Sequence, residues 1–173
     1  GLEMARAVRS SFSGLTVFGG PHPTFFPEFI EENGVDVICR GEGEYAMLEL
    51  SDRVDKDEQI TDIANLWVKE NGEIHKNDPR DLIADLDTLP LPDRELFYKE
   101  NAHLAKIRLK RFDVGRGCPF NCAYCFNHSY AQIYEGKGKR LRKKSPERVV
   151  EEIMATREKY PLEYISFIDD DFV

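Results

Sequence analysis

Three cysteines, Cys118, Cys122 and Cys125, stand within one stretch of eight residues. Because three and then two residues separate them, a single short loop can gather their thiols around one metal centre. Gly117 and Pro119 favour such a loop, since glycine tolerates unusual backbone angles and proline fixes one. Thiolates are the usual ligands of iron–sulfur clusters. Three of them on a four-iron cluster would leave one iron open to a small molecule, which suits catalysis better than electron storage.

Two simpler interpretations compete with the cluster. His128 follows Cys125 after two residues, so the four side chains could form a structural Cys3His zinc site. The long basic segment after His128, in place of a compact knuckle, weighs against zinc. The cysteines could also be ordinary reduced thiols, which pack like small apolar residues. Packing alone rarely places three thiols so close together.

The pattern Cys-x3-Cys-x2-Cys, with Tyr124 directly before the third cysteine, resembles the radical S-adenosylmethionine superfamily. The resemblance implies that Cys118, Cys122 and Cys125 hold a 4Fe–4S cluster whose open iron chelates the amino and carboxylate groups of S-adenosylmethionine. In that family one electron cleaves a carbon–sulfur bond and releases a 5′-deoxyadenosyl radical. By the same resemblance, the backbone at Tyr124 would contact the adenine.

The composition indicates a soluble globular chain in a reducing compartment. Its 173 residues are 41% hydrophobic and carry a net charge of −8. No apolar run approaches the roughly 20 residues of a membrane helix, and the first residues lack the apolar segment of a signal peptide. Three of only four cysteines are clustered, which argues against a disulfide framework. We therefore expect a cytoplasmic protein that contains one ordinary domain or parts of two.

Charge is spread unevenly along the chain. Residues 106–148 contain twelve Lys or Arg against three Asp or Glu, although the whole chain is acidic. A basic stretch suits anionic cofactors and small-molecule substrates as well as nucleic acid. Aromatic and basic residues do not alternate there as in base-stacking surfaces, so nucleic acid is not the expected partner.

The first half of the chain alternates predicted helices and strands. Helical spacing over 2–12, 27–32 and 45–54 alternates with apolar runs at 15–18 and 35–39, which predicts a doubly wound α/β sheet. Ligands bind such sheets at the carboxyl ends of the strands, where two glycine-containing loops follow the two apolar runs.

Those two loops are similar to the second half of a cobalamin-binding domain, which precedes the radical barrel in one large subgroup of the superfamily. The resemblance implies that the following residues border cobalamin: Gly19, Gly20, His22, Pro23, Thr24, Gly41, Glu42, Gly43 and Glu44. The subgroup's cobalt-ligand motif, Asp-x-His-x-x-Gly, is absent. Whether cobalt has a histidine ligand is therefore open, and His22 is predicted to be a wall residue. Cys39, at the end of an apolar run, is predicted to be a buried thiol.

Three further patterns set the predicted domain division. Asn71-Gly72 between two alternating runs predicts a β-hairpin over 66–76, with Trp67 packed inward. Proline punctuation over 85–93 indicates an extended connector. We therefore expect a partial cobalamin-binding domain over 1–84, a linker over 85–105, and the start of a radical barrel over 106–173.

The last segment reads as strand, helix and strand. Residues 106–114 predict the first barrel strand, Ser145-Pro146 caps a helix over 147–159, and residues 164–168 predict the second strand. The helix has an apolar stripe at 149, 150, 153 and 154 that we expect in the core. Asp169 and Asp170, at the exit of the second strand, would by the resemblance contact the amino group of S-adenosylmethionine.

The expected fold is therefore α/β: the C-terminal part of a Rossmann-like cobalamin-binding domain, followed by the first strands and helix of a partial TIM-type barrel. The expected activity is reductive cleavage of S-adenosylmethionine, with methyl transfer or cyclisation of a small-molecule substrate and a flavodoxin or ferredoxin as electron donor. The alternative is a non-catalytic Cys3His zinc module joined to a Rossmann-like domain. Because the chain lacks an initial methionine and ends near a strand, we expect a fragment that is inactive alone.

Overall fold

A computed structural model describes residues 1–172, which form two compact units. The first unit contains Gly1–Leu82 together with His128–Lys137. The second contains Ile83–Asn127 and the chain from Gly138 onward. The ten residues 128–137, which directly follow the cysteine-rich stretch in sequence, thus belong to the first unit.

The first unit alternates helices and strands, as the sequence predicts. Its elements are α1 (Leu2–Val8), β1 (Val17–Phe18), α2 (Pro21–Phe25), a 3-10 turn (Pro27–Glu31), β2 (Val37–Cys39), α3 (Glu44–Asp55), β3 (Leu66–Glu70) and β4 (Glu73–Lys76). The first helix ends four residues earlier than predicted, and β1 and β2 are shorter than the apolar runs. A short helix, α2, replaces much of the first predicted loop.

The strands form one sheet in the order β1-β2-β3-β4. β1 and β2 are parallel, whereas β3 and β4 add to the edge as an antiparallel hairpin. Asn71 and Gly72 have φ of 50° and 82°, the backbone that a two-residue hairpin turn requires. The predicted hairpin is therefore confirmed.

β2 lies at the centre of two apolar clusters. Its three residues are all buried, and successive side chains of a strand point to opposite faces. Val37 and Cys39 therefore pack with Leu50 of α3 on one face, and Ile38 packs with Ile30 on the other. Three consecutive apolar residues, as in β2, are the sequence pattern of a strand covered on both sides.

The second unit contains helices and short strands around the cysteine-rich stretch. Its elements are a 3-10 turn (Leu86–Thr88), α4 (Glu95–Tyr98), α5 (Ala102–Lys106), β5 (Leu109–Phe112), β6 (Gly115–Arg116), the start of α6 (Phe126–Ile133), β7 (Arg142–Lys143), α7 (Pro146–Lys159) and β8 (Tyr164–Phe167). β5 and β8 are parallel and β6 and β7 antiparallel. The predicted strand–helix–strand order around α7 is confirmed.

Lys110 on β5 is buried despite its charge, with an exposed fraction of 2%. Its Nζ donates hydrogen bonds to the carbonyl oxygens of Leu104, Ala105 and Ile107, which close the end of α5. Burial lowers the pKa of Lys110, and the charge of Arg94 lowers it further. Burial alternates along β5, but residue type does not follow it, because Lys110 is buried and Leu109 is exposed.

α7 begins as predicted, because the Ser145 hydroxyl accepts a hydrogen bond from the backbone N–H of Arg148 at 3.1 Å. Its predicted apolar core stripe is wrong in part: Val150 and Met154 are exposed. The buried residues of α7 are instead Glu152 and Thr156. Polar partners explain this, since Glu152 accepts hydrogen bonds from Arg94 at 2.9 Å and Lys144 at 3.0 Å.

Within residues 1–172, no helix combines the length and the apolar character needed to cross a membrane.

Candidate functional site

The cysteine-rich stretch leaves β6 through two glycines that its surroundings require. β6 pairs with β7, and a Cβ on Gly115 would lie 2.6 Å from the carbonyl oxygen of Arg142. Gly117 has φ of +86°, and a Cβ there would overlap the carbonyl oxygen of Arg140. A side chain at either position would push the two strands apart, so the entry to the loop is closely fixed.

Arg140 holds the loop from the side. Its guanidinium donates a hydrogen bond to Asn121 Oδ1 at 2.8 Å and another to the Pro119 carbonyl oxygen at 2.8 Å. Both acceptors lie between Cys118 and Cys122. The loop is also closed locally, because the N–H of Cys125 donates to the carbonyl oxygen of Cys122 at 3.0 Å.

The three loop thiols are free and open to solvent to different degrees. Cys118 and Cys125 are half-buried and Cys122 is exposed. Across residues 1–172, no three side chains of His, Cys, Asp or Glu converge closely enough to hold a metal ion. The donor set nevertheless fits an iron–sulfur cluster in its chemistry, since three free thiols share one loop.

His128, the fourth ligand of the zinc alternative, is an exposed residue of α6. Its Nε2 lies 3.4 Å from Nε2 of Gln132, one helical turn further on.

The two predicted carboxylates at the exit of β8 contact both ends of the cysteine loop. Oδ1 of Asp169 accepts hydrogen bonds from the backbone N–H groups of Val114 at 2.9 Å and Gly115 at 2.7 Å. Oδ2 of Asp170 accepts one from the buried Asn127 side chain at 3.0 Å. Oδ2 of Asp169 is buried and accepts no hydrogen bond from the described part of the chain. This oxygen is therefore available to accept a hydrogen bond from a bound cation.

Tyr124 lies in the loop with its side chain 94% exposed. The ring makes little packing contact and is therefore not held as a fixed aromatic surface. The backbone at this position is the part better placed to contact a ligand.

In the first unit, Thr24 joins the two glycine loops. Its hydroxyl donates to the Gly20 carbonyl oxygen at 2.7 Å and accepts from the Gly41 N–H at 3.0 Å. The Arg40 guanidinium donates to the Thr24 carbonyl oxygen at 3.4 Å. The loops that the sequence placed at two strand ends are thus brought together, and Thr24, buried to all but 3%, is the link.

The first glycine loop is open on one side. Gly20 has φ of +88° and nothing within 4 Å of where its Cβ would lie. His22 is exposed and packs on the rings of Phe26 and Phe29, with centroids 5.4 and 5.0 Å away. Pro23 is buried in α2. Gly20 therefore leaves the backbone of this loop accessible beside the His22 and Phe26 rings.

The second glycine loop packs against Tyr134. Gly41 has φ of +76°, and a Cβ there would overlap the Tyr134 hydroxyl oxygen. That oxygen accepts hydrogen bonds from the Glu42 N–H at 3.0 Å and from Asn65 Nδ2 at 3.4 Å. Nothing in the sequence pattern indicates this contact, because Tyr134 lies 92 residues beyond Glu42.

Gly43 and Glu44 complete that loop and lead into α3. Cys39 lies beneath them, 5% exposed, with its Sγ 3.4 Å from where a Cβ of Gly43 would stand. Burial, helped by the charge of Glu44, raises the pKa of the Cys39 thiol to about 11. The predicted buried thiol is confirmed, and it is neutral at physiological pH.

Two family models match the chain. Residues 112–172 match the Radical SAM superfamily, and this range includes the cysteine loop and both carboxylates. Residues 2–51 match the B12 binding domain, and this range includes both glycine loops.

Curated proteins with related sequences are enzymes. The chain is 38% identical over 160 residues to an uncharacterized methyltransferase of Pyrococcus horikoshii, covering 91% of this chain and 34% of that protein. It is 28% identical over 180 residues to the anaerobic magnesium-protoporphyrin IX monomethyl ester cyclase of Rubrivivax gelatinosus, covering 98% of this chain and 30% of that protein. The chain thus spans about a third of the length of these relatives.

Solved structures show the same fold. The cobalamin-dependent S-adenosylmethionine radical enzyme OxsB superposes with a TM-score of 0.73 at 21% identity, over 99% of this chain and 23% of that one. The radical S-adenosylmethionine methyltransferase TsrM of Kitasatospora setae, with cobalamin and a 4Fe–4S cluster bound, gives 0.65 at 17%, over 99% and 33%. The predicted fold class is therefore confirmed.

Proposed function

Since the chain belongs to the radical SAM superfamily and carries a B12-binding domain ahead of the radical SAM region, we propose that the whole protein reductively cleaves S-adenosylmethionine at a 4Fe–4S cluster. The cluster's ligands are Cys118, Cys122 and Cys125. The observation that carries this proposal is one loop with three free thiols. Close packing at Gly115 and Gly117 fixes the entry to this loop, and Arg140 holds it by hydrogen bonds.

When bound, the cluster supplies the single electron that splits S-adenosylmethionine into methionine and a 5′-deoxyadenosyl radical. The protein's part is to bind and orient. Oδ2 of Asp169 is an acceptor for the ammonium of the methionine moiety, while Oδ1 keeps the loop entry in place. Asp170 orders the loop exit through Asn127, and the backbone at Tyr124 contacts the adenine.

In the first unit, the two glycine loops border cobalamin. Thr24 fixes their spacing, and the open face over Gly20 lets the ligand approach the backbone closely. His22 acts as a wall through its ring contacts with Phe26 and Phe29. Pro23 and the run Gly41–Glu44 shape the rest of this border.

The reaction outcome is methyl transfer to a small-molecule substrate. The methyltransferase relative supports this, and the cyclase relative supports ring closure as the second candidate. A one-electron donor of the flavodoxin or ferredoxin kind supplies the reductant. Four free cysteines suit a reducing compartment, which favours the cytoplasm.

Anaerobic reconstitution with iron and sulfide tests the cluster. We expect a brown protein with a broad charge-transfer band, and release of 5′-deoxyadenosine by the whole protein under dithionite. The control is Cys118→Ala, which should be colourless and inactive. A colourless wild type that retains zinc would contradict the proposal and support the Cys3His zinc module instead.

A further inference from the structure

Tyr134 is the most deeply buried polar side chain contributed by residues 128–137. Its exposed fraction is 4%, and its hydroxyl accepts hydrogen bonds from the backbone of Glu42 and the side chain of Asn65. A buried N–H that loses its acceptor costs more free energy than an ordinary hydrogen bond contributes. The Glu42 amide therefore depends on this hydroxyl.

Side chains from elsewhere in the unit hold three backbone groups of residues Arg40–Glu42. The Gly41 N–H donates to the Thr24 hydroxyl at 3.0 Å. Asn65 Nδ2 donates to the Arg40 carbonyl oxygen at 2.8 Å. Tyr134 supplies the remaining contact, to the Glu42 N–H. Gly41 has no Cβ, and the Tyr134 hydroxyl oxygen occupies the space where one would lie. The position of the ring and the conformation of the loop therefore depend on each other.

The segment that brings Tyr134 is itself docked on the first unit. Lys137 Nζ donates to the Pro79 carbonyl oxygen at 2.7 Å, and the Leu82 N–H donates to the Lys137 carbonyl oxygen at 2.8 Å. The rings of Tyr130 and Tyr134 pack with centroids 4.9 Å apart. Tyr134 therefore presents its hydroxyl from a fixed support.

We infer that Tyr134 is a positioning residue that sets the conformation of the Gly41–Glu44 loop for a corrinoid ligand. This inference rests on the proposed function, because it takes that loop as part of the cobalamin border. Tyr134 acts through the Glu42 amide and does not itself touch the ligand. A loop already in its binding conformation spares the ligand the cost of ordering it.

Tyr134→Phe tests the inference, since it keeps the ring and removes only the acceptor. In the whole protein we expect cobalamin affinity to fall about fivefold, the effect of one partly buried hydrogen bond. Hydrogen exchange at the Glu42 amide, measured without cobalamin, should quicken by a similar factor of about five. Iron content of the reconstituted cysteine loop should match wild type.

Two controls separate positioning from general destabilisation. Tyr45→Phe removes an exposed phenol just beyond the same loop and should leave cobalamin affinity unchanged. Ile63→Val weakens the core of the same unit without touching the loop, and it should also bind cobalamin as wild type does.

The outcomes are distinguishable. If wild type fails to bind cobalamin, the proposed cobalamin border of the two glycine loops is wrong, and this inference falls with it. If wild type binds and Tyr134→Phe binds equally well, the inference alone is overturned. It is also overturned if the wild-type Glu42 amide exchanges as fast as an exposed amide, a result that needs no variant to fold.

Discussion

At the residue scale, burial separates Cys39 from the three loop cysteines. A cysteine must lose its proton to bind metal. Burial raises the pKa of Cys39 to about 11, so this thiol stays neutral at pH 7 and packs under the second glycine loop. The loop cysteines are less buried than Cys39: Cys118 and Cys125 are half-buried and Cys122 is exposed.

We therefore expect Cys118→Ala, Cys122→Ala and Cys125→Ala each to abolish iron binding, because a cluster with two protein ligands is poorly held. Cys39→Ala should retain wild-type iron, although its small cavity lowers stability. Iron and acid-labile sulfide quantitation after anaerobic reconstitution measures this. Equal iron loss from Cys39→Ala would refute the assignment.

A second residue-scale prediction concerns His128. This exposed residue is paired with Gln132 along its own helix, so His128→Ala should keep the full iron content and 5′-deoxyadenosine production of the whole protein. Metal analysis of both proteins is the measurement, with Gln132→Ala as a matched control. Loss of metal from His128→Ala alone would favour Cys3His zinc.

At the element scale, the cysteine loop is held by β7 and its flanking residue Arg140. Two hydrogen bonds run from Arg140 to the loop, one to Asn121 and one to a backbone oxygen. We therefore expect lateral support from this strand to contribute to the affinity of the loop for the proposed cluster.

Arg140→Ala should therefore lower iron occupancy several-fold, since a hydrogen bond from a charged group contributes about 1.5–3 kcal/mol. Arg140→Lys should recover part of the loss, because it restores the charge but not the planar guanidinium that donates from two separate nitrogens. Arg157→Ala, an exposed arginine on α7, serves as the control. Wild-type occupancy in Arg140→Ala would show that the loop orders itself.

The start of α7 supports a separate element-scale prediction. Ser145→Ala removes the N-cap acceptor of the Arg148 amide, together with the hydroxyl that hydrogen-bonds Asp87, and should destabilise the second unit by about 1 kcal/mol. Urea unfolding followed by circular dichroism measures the change. Ser51→Ala, within α3, removes an exposed hydroxyl and should change stability by less. An effect as large from Ser51→Ala would argue against capping as the cause.

At the scale of the whole molecule, each unit contains carboxylates that are more acidic than usual. For Asp36, burial would raise the pKa, but hydrogen bonds from Arg9 and from the Thr16 N–H outweigh it and lower the pKa. Hydrogen bonds from Ser145 lower the pKa of Asp87. Both groups bind protons more weakly when folded than when unfolded.

The sign of the pH dependence follows from these lowered pKa values. The stabilisation is fully present above the unfolded Asp pKa of about 3.9 and is lost as pH falls through the lower folded values. We expect unfolding midpoints in urea to fall steeply below about pH 4 in both units. Asp36→Asn should flatten this fall in the first unit only. Midpoints that do not vary between pH 5 and pH 3 would contradict the prediction.

The sequence by itself determined the parts that depend on near neighbours along the chain. Cysteine spacing, the apolar run of β2, the Asn71-Gly72 turn and the Ser145 cap each act over a few residues. Their backbone and packing requirements can therefore be read from local order. The same is true of the two glycine loops, whose places at strand ends follow from the alternation of elements.

Only the tertiary structure decided which distant groups complete those loops. Asp169 reaches Val114 across 55 positions, and Tyr134 reaches Glu42 across 92. The same holds for burial of Lys110 and Glu152 in place of apolar residues, because their partners come from other elements. A buried polar group is tolerated only where another group forms a hydrogen bond or ion pair with it. Such partners come from distant parts of the folded chain, and local sequence patterns do not encode them.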